Sequence, residues 1–142
     1  MSVQTQIEEY LANLPEPARA AMKDLHHRIS RLAHARRLWY LDGKDSKGKV
    51  VSNPSIGYGL QHIEYSDGRM REFYRVGISA NTSGFSVYIM GLTDKTYLAR
   101  TYARSIGNAK VTGYCIKFKR LSDVNLGVLE AAVRDGLKAQ SA

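Results

Sequence analysis

The fold of this chain follows from residues 53–92, NPSIGYGLQHIEYSDGRMREFYRVGISANTSGFSVYIMGL. Two tight-turn signals, at residues 66–68 and 81–84, divide this stretch into three segments rich in β-branched and aromatic residues. Glycine, aspartate and asparagine at such turns adopt the positive φ that a hairpin needs at low steric cost. The stretch therefore predicts three consecutive strands of one antiparallel sheet.

Helical patterns precede these strands. Thr5 and Glu8 have the spacing of a capping box, which predicts that a first helix begins there. Pro15 and Pro17 predict a break, followed by a second helix that runs to about Ala33. Both segments carry apolar residues at helical spacing, so each is expected to bury one face.

Local periodicity and capping residues predict the remaining elements: strands at 38–41, 50–51 and 114–118, a helix after Thr93 or Asp94, and a helix from Asp123 or Asn125. The sequence thus predicts a single α+β domain over residues 1–142. Its antiparallel sheet has about five strands, with two N-terminal helices, one helix before the last strand and a C-terminal helix.

The amino-acid composition indicates which cellular compartment and which classes of partner suit the chain. The 142 residues include 21 Lys+Arg and 13 Asp+Glu, a net charge of +8 that favours anionic partners. A lone cysteine, Cys115, excludes an internal disulfide framework and suits a reducing compartment. No signal peptide and no apolar run of the ~20 residues that span a bilayer are present. We expect a cytoplasmic protein without a membrane partner.

Glycines interrupt two of the predicted strands, and such glycines mark a bulge or a close approach by another backbone or a ligand. If they lie on the same side of the sheet, they form a shallow trough with polar neighbours, and the candidate ligand-binding residues are Gly57, Gly59, Tyr65, Arg75, Gly77 and Ser79. Arginine beside backbone N–H groups binds phosphate or carboxylate, so the expected ligand is a small anion. A helix packed over the glycines is the alternative. Arg69 and Arg71, beside the first turn, are expected to be solvated.

Motifs of known enzyme classes do not occur in the sequence. It contains no phosphate-binding glycine loop, no nucleophile elbow and no paired-carboxylate spacing. The four histidines show neither HxH nor HExxH spacing, so no metal site is expected. Cys115 is expected to be a small buried side chain. These observations favour a non-enzymatic binding domain without a cofactor.

Basic residues cluster within residues 28–37, 44–49 and 110–120. Nucleic-acid binding would combine such clusters with exposed aromatic side chains, and Tyr58, Tyr74 and Tyr88 are available if the sheet has an open face. No RNA-recognition or helix-turn-helix signature accompanies them. Weak nucleic-acid binding is therefore an alternative function.

Five blocks of the sequence, in order and spacing, resemble the YdhG-like family of small uncharacterised bacterial domains. The blocks are IEEYLANLPEPARAAMKDLHHRI, NPSIGYG, the SDGR turn, VGISANTSGFSVYIMGL and GYCIKFKRLSDVNLGVLEAAV. The resemblance covers nearly the whole chain and implies an α+β domain with helices at both ends of an antiparallel sheet. Two positions depart from the family pattern: residues 80–82 replace a frequent Arg-Lys pair, and Tyr114 replaces a frequent lysine.

One branch of that family is described as frataxin-like iron chaperones, so the resemblance implies iron delivery as a second alternative. Iron(II) delivery of this kind needs clustered carboxylates, and the candidates on the first two helices are Glu8, Glu9, Glu16 and Asp24. The first interpretation nevertheless stays a small binding domain whose partner is an anionic ligand or another protein. A monomer and a homodimer are both compatible with the sequence.

Overall fold

The structure, a computed structural model, describes residues 1–138. Within these residues the helices are α1 (Val3–Ala12), α2 (Ala18–Leu32), α3 (Tyr97–Tyr102) and α4 (Leu126–Lys138). The strands are β1 (Leu38–Leu41), β2 (Ser55–Tyr58), β3 (Gln61–Glu64), β4 (Met70–Phe73), β5 (Val76–Asn81), β6 (Gly84–Ile89), β7 (Lys110–Val111) and β8 (Cys115–Phe118).

Six strands form one antiparallel sheet in the order β1-β2-β5-β6-β8-β7. One face packs against helices: His26 of α2 contacts Tyr58, and Gly136 of α4 lies against Val76 and Ile89. Side chains alternate along a strand, so the neighbours of Tyr58, Val76 and Ile89 in each strand point to the opposite face of the sheet. We call this opposite face the helix-free face. Five residues that are cross-strand partners from β1 to β8 lie in one row on it: Trp39, Gly57, Gly77, Tyr88 and Cys115.

Strands β3 and β4 pair only with each other and form a separate hairpin. The hairpin returns over the helix-free face, where the ring centroid of Phe73 lies 6.2 Å from that of Trp39. Gln61 anchors it from the other strand, since its Nε2 donates to the carbonyls of Tyr74 and Met90, each at 2.9 Å. The hairpin thus covers one end of the face.

The α+β class and the placement of all the predicted helices are confirmed. Two breaks divide the predicted strands further. Gly59, with φ of 84°, separates β2 from β3, and residues 74–75 separate β4 from β5. The structure therefore has a six-stranded sheet plus a hairpin, whereas the sequence predicts about five strands.

Element boundaries shift where a different cap is used. Helix α1 begins before Thr5 because Ser2 is the N-cap and its Oγ accepts the Thr5 N–H at 3.1 Å. Val50 forms only an isolated bridge with Lys44, so the predicted strand at 50–51 is absent. Helix α4 begins as expected, with Asn125 Oδ1 accepting the Val128 N–H.

The helices and the sheet enclose one hydrophobic cluster, which makes the described residues a single domain. Met22 and Leu25 of α2, Ile78 of β5 and Ile116 of β8 are among its side chains with at most 1% exposure. None of the helices within residues 1–138 is long and apolar enough to cross a bilayer.

Two arginines bind the C-terminal end of α4. Arg75 Nε donates to the carbonyl of Gly136 at 3.0 Å, and Arg36 donates to the carbonyl of Leu137 at 2.9 Å. These carbonyls belong to the last turn, which has no intrahelical donors and carries the negative end of the helix dipole. Burial, together with the nearby Arg36, lowers the pKa of Arg75 from its ordinary value. Arg75 therefore acts as a helix cap.

Ala35 connects α2 to β1 with φ of 62°, which strains a residue that has a Cβ. We expect Ala35→Gly to raise the free energy of unfolding by about 0.5–1 kcal/mol, because relief of strain outweighs the greater entropy of the unfolded chain. Urea denaturation measures the change. Ala103→Gly is the matched control: Ala103 is also exposed but has φ of −56°, so the same exchange there should destabilise. Equal effects at both positions would contradict the prediction.

Candidate functional site

The structure brings two of the predicted trough glycines side by side. Gly57 of β2 and Gly77 of β5 are direct cross-strand partners on the helix-free face. The space above them is filled by the ring of Tyr74, which is only 4% exposed. A Cβ on Gly57 would lie 2.5 Å from Tyr74 Cγ, and a Cβ on Gly77 would lie 2.5 Å from Tyr74 Cε1. The expectation of an open trough is thus corrected, and a tyrosine ring takes the place proposed for a helix.

The other predicted site residues do not form one site with these two glycines. Ser79 shares the helix-free face, but its Oγ donates to the carbonyl of Pro54 at 2.7 Å. Gly59 lies at the break after β2, next to the stem of Arg75, whose guanidinium reaches α4 instead of the trough. Tyr65 lies at the tip of the hairpin, where its backbone N–H donates to the backbone carbonyl of Arg69. Ligand contact by these residues stays a prediction.

An open concavity lies beside the filled trough, between the hairpin and the loop after β1. Its volume is about 340 Å³, and it is lined by residues 40–44 and 51–52, by Gln6 of α1 and by Arg71 of β4. We call it the hairpin cleft. Its size is at the lower end of the range for small-molecule sites.

Positive charge in the hairpin cleft comes from Arg71 and Lys44. The Arg71 guanidinium lies 4.8 Å from the centroid of the Phe73 ring, which holds it in place by a cation–π contact. Neither cation forms an ion pair within residues 1–138. Asp42 also lines the cleft, but its Oδ1 accepts the backbone N–H of Lys44 at 2.9 Å. With two cations and one carboxylate in its lining, the cleft keeps a net positive charge that favours an anion.

The four carboxylates proposed as iron ligands do not form one cluster in the described residues. Glu16 Oε1 accepts the N–H of Ala20 near the start of α2, and Asp24 pairs with Arg28 at 3.0 Å. Glu8 and Glu9 are exposed on α1. Over the described part of the chain, no three Asp, Glu, His or Cys side chains come together as metal ligands.

Three further titratable groups are buried or half-buried: Tyr58 and His26, which meet on the helix side of the sheet, and Cys115 on the helix-free face. Tyr58 is fully buried and its hydroxyl lies 2.7 Å from His26 Nδ1. Burial, with a smaller effect of His27, lowers the pKa of His26, while burial raises the pKa of Tyr58. Cys115 is 2% exposed, and burial raises the pKa of its thiol. Burial therefore favours the neutral forms of both His26 and Cys115.

The tyrosines proposed for stacking with bases divide between the two faces. Tyr58 points to the helices and Tyr74 is the ring over the glycines, so neither is on the surface. Tyr88 is half-buried on the helix-free face and stacks with Tyr114, with 6.5 Å between centroids and 19° between planes. Tyr114 was not among the tyrosines proposed for stacking; it lies just before β8 and is exposed.

Comparison with known proteins gives no assignment. No known family matches the chain, and neither curated proteins nor solved structures gave a match. The resemblance to the YdhG-like family therefore stays a prediction.

Proposed function

We propose that this chain is a non-enzymatic binding domain for a small anionic ligand, which it holds in the hairpin cleft. The observation that carries the proposal is the position of Arg71: an arginine with no acidic partner in the described chain, fixed over Phe73 and lining a concavity with Lys44. The ligand is a carboxylate or a phosphate ester, since guanidinium binds both through paired N–H donors.

Hydrogen bonds around the cleft support a preformed site. The carbonyl of Gly43 accepts the N–H groups of Val51 and Ser52, at 2.8 and 3.1 Å, which fixes one wall. The side chain of Ser52 belongs to the same wall and supplies a hydroxyl for an anion. A fixed wall reduces the ordering cost of binding.

The state of Cys115 supports a non-enzymatic role. A nucleophilic cysteine needs a lowered pKa and access to solvent, whereas burial raises the pKa of this thiol. Binding, not covalent chemistry, is therefore the function that we assign.

Arg71→Gln tests the proposal, with inorganic phosphate and citrate as the probes in thermal-shift and NMR titrations. We expect at least one probe to raise Tm of the wild-type protein, since a ligand at 100 times its Kd adds about 2.7 kcal/mol. Amide shifts should map to residues 40–44 and 51–52. We expect Arg71→Gln to weaken this binding at least roughly tenfold, because it removes a charge-assisted contact.

Arg69→Gln is the matched control. Arg69 belongs to the same hairpin but pairs with Asp67 at 2.6 Å and lies outside the cleft lining. It should leave affinity within about twofold. Absence of binding by both probes, or equal losses in the two variants, would overturn the proposal.

A further inference from the structure

A second group of unpaired cations lies at the opposite end of the helix-free face. Lys110 of β7 and Lys117 of β8 are direct cross-strand partners, and Lys117 is also opposite Ser86 of β6. Cys115, the cross-strand partner of Tyr88, lies two residues before Lys117, about 7 Å along the strand. The stacked rings and the two lysines therefore form one surface. We call it the tyrosine–lysine patch, defined by Tyr88, Tyr114, Lys110 and Lys117.

The charges of this patch are not neutralised by the described part of the protein. Neither Lys110 nor Lys117 forms an ion pair there. Like charges directly opposite each other on adjacent strands destabilise a sheet. A polyanion bound across both lysines would remove this repulsion.

The aromatic part of the patch is open to a further ring. Tyr114 is 55% exposed although its ring stacks on Tyr88, so the outer face of the stack is accessible. Base–aromatic stacking needs such a face and tolerates any base. A small inorganic anion would leave this face unused, and a base inside a duplex has its own faces covered by its neighbours.

A hollow beside Lys117 extends the surface away from the tyrosines. Its volume is about 200 Å³, and it is lined by Asn81, Ser83, Phe85, Ser86, Lys117 and Phe118. The Ser83 N–H and hydroxyl donate to Asn81 Oδ1, so the donors that this hollow offers to a phosphate or a sugar are the Asn81 amide and the Lys117 ammonium. Stacking faces, cations and polar donors thus follow one another along the strand direction.

We propose that the tyrosine–lysine patch binds single-stranded nucleic acid, with a base stacked on Tyr114 and phosphates neutralised by Lys110 and Lys117. The proposal is independent of the hairpin cleft, which lies at the other end of the face. The +8 charge of the chain would speed the encounter with such a polyanion.

Fluorescence anisotropy with a short labelled oligothymidine, at several salt concentrations, tests the patch. We expect Tyr114→Ala to lower the affinity at least about fivefold, because it removes the stacking face. We expect Lys117→Gln to lower it as well and to reduce the log–log salt slope by about 0.7, the value for one phosphate contact.

Two control variants distinguish binding at the patch from a general effect of losing one positive charge or one exposed aromatic ring. Tyr65→Ala removes another exposed tyrosine beside an arginine, and Lys49→Gln removes one lysine from the loop after β1. Both should leave the affinity within about twofold. Equal losses in control and patch variants, wild-type affinity in Tyr114→Ala, or equal affinity for duplex and single strand would overturn the proposal.

Cross-testing with the other site keeps the two proposals distinguishable. Arg71→Gln should leave oligothymidine binding unchanged, and Lys117→Gln should leave binding of phosphate and citrate in the hairpin cleft unchanged. Loss of oligothymidine binding in Arg71→Gln, with no loss in Lys117→Gln, would move the nucleic-acid site to the hairpin cleft and overturn the patch.

Discussion

Gly57→Ala is expected to destabilise the fold by about 3 kcal/mol or more and to lower Tm by roughly 10 °C. The added methyl group would overlap the ring of Tyr74, which lies directly over Gly57 and Gly77. That ring has little room to move, because it is 4% exposed and stacks on Phe73 with 4.2 Å between centroids. Overpacking of a rigid site costs more than overpacking of one that relaxes.

A double-mutant cycle with Tyr74 identifies the ring as the cause. Tyr74→Ala alone should cost roughly 3–5 kcal/mol, the usual cost for a buried aromatic side chain. In that background Gly57→Ala should cost at least about 2 kcal/mol less than in the wild type, because the overlaps with the ring are removed and only the Cβ of residue 74, at 2.7 Å, still has to shift. In Tyr74→Phe, which keeps the ring, the cost should stay at the wild-type level. Additive effects of Gly57→Ala and Tyr74→Ala in urea denaturation would contradict this explanation.

The strand glycines show what a single sequence reveals and what it does not. The pairing of β2 with β5 puts Gly57 and Gly77 on one face. Alternation alone left this open, because side-chain period is a local property of a strand. It could not show what fills the space above them. Tyr74 reaches that space only because the chain turns between β4 and β5, and no glycine or proline marks this turn. Two of the three glycines predicted for the trough therefore lie side by side, and the ring that covers them could not be predicted from the sequence pattern.

The candidate sites were less predictable than the fold, since each depends on contacts between distant segments. Arg71 and Lys44 line one cleft only because the hairpin folds back towards the loop after β1. Lys110 and Lys117 face each other through a two-residue strand, β7, that has no periodicity to detect. The sequence signals for this patch were the basic residues within 110–120 and Tyr88, and only the pairing of β7 with β8 shows which of the basic residues share a face.

The second large expected loss of stability is that of Asp135→Ala, which removes the hydrogen bonds between α3 and α4. Tyr97 and Tyr102 on either end of α3 both donate a hydroxyl hydrogen bond to Asp135 Oδ2 of α4, at 2.6 Å for Tyr97. A hydrogen bond to a charged group contributes roughly 1.5–3 kcal/mol, at the lower end where water has access. All three side chains are half-buried, so we expect Asp135→Ala to lower the free energy of unfolding by about 2–3 kcal/mol. Arg134→Ala, the same exchange at the neighbouring exposed residue, should cost under about 0.5 kcal/mol.

The two tyrosines also give this contact a pH dependence. The hydrogen bond to Asp135 raises the pKa of Tyr97, and burial together with the Asp135 hydrogen bond raises the pKa of Tyr102 well above its ordinary value. Because the folded state holds these protons more tightly than the unfolded chain, the stabilisation is complete below about pH 10 and is lost as the pH rises further. Urea denaturation from neutral to alkaline pH should show the stability difference between wild type and Asp135→Ala narrowing above about pH 10. A constant difference across that range would mean that Asp135 stabilises the fold by packing and not through the tyrosine hydroxyls.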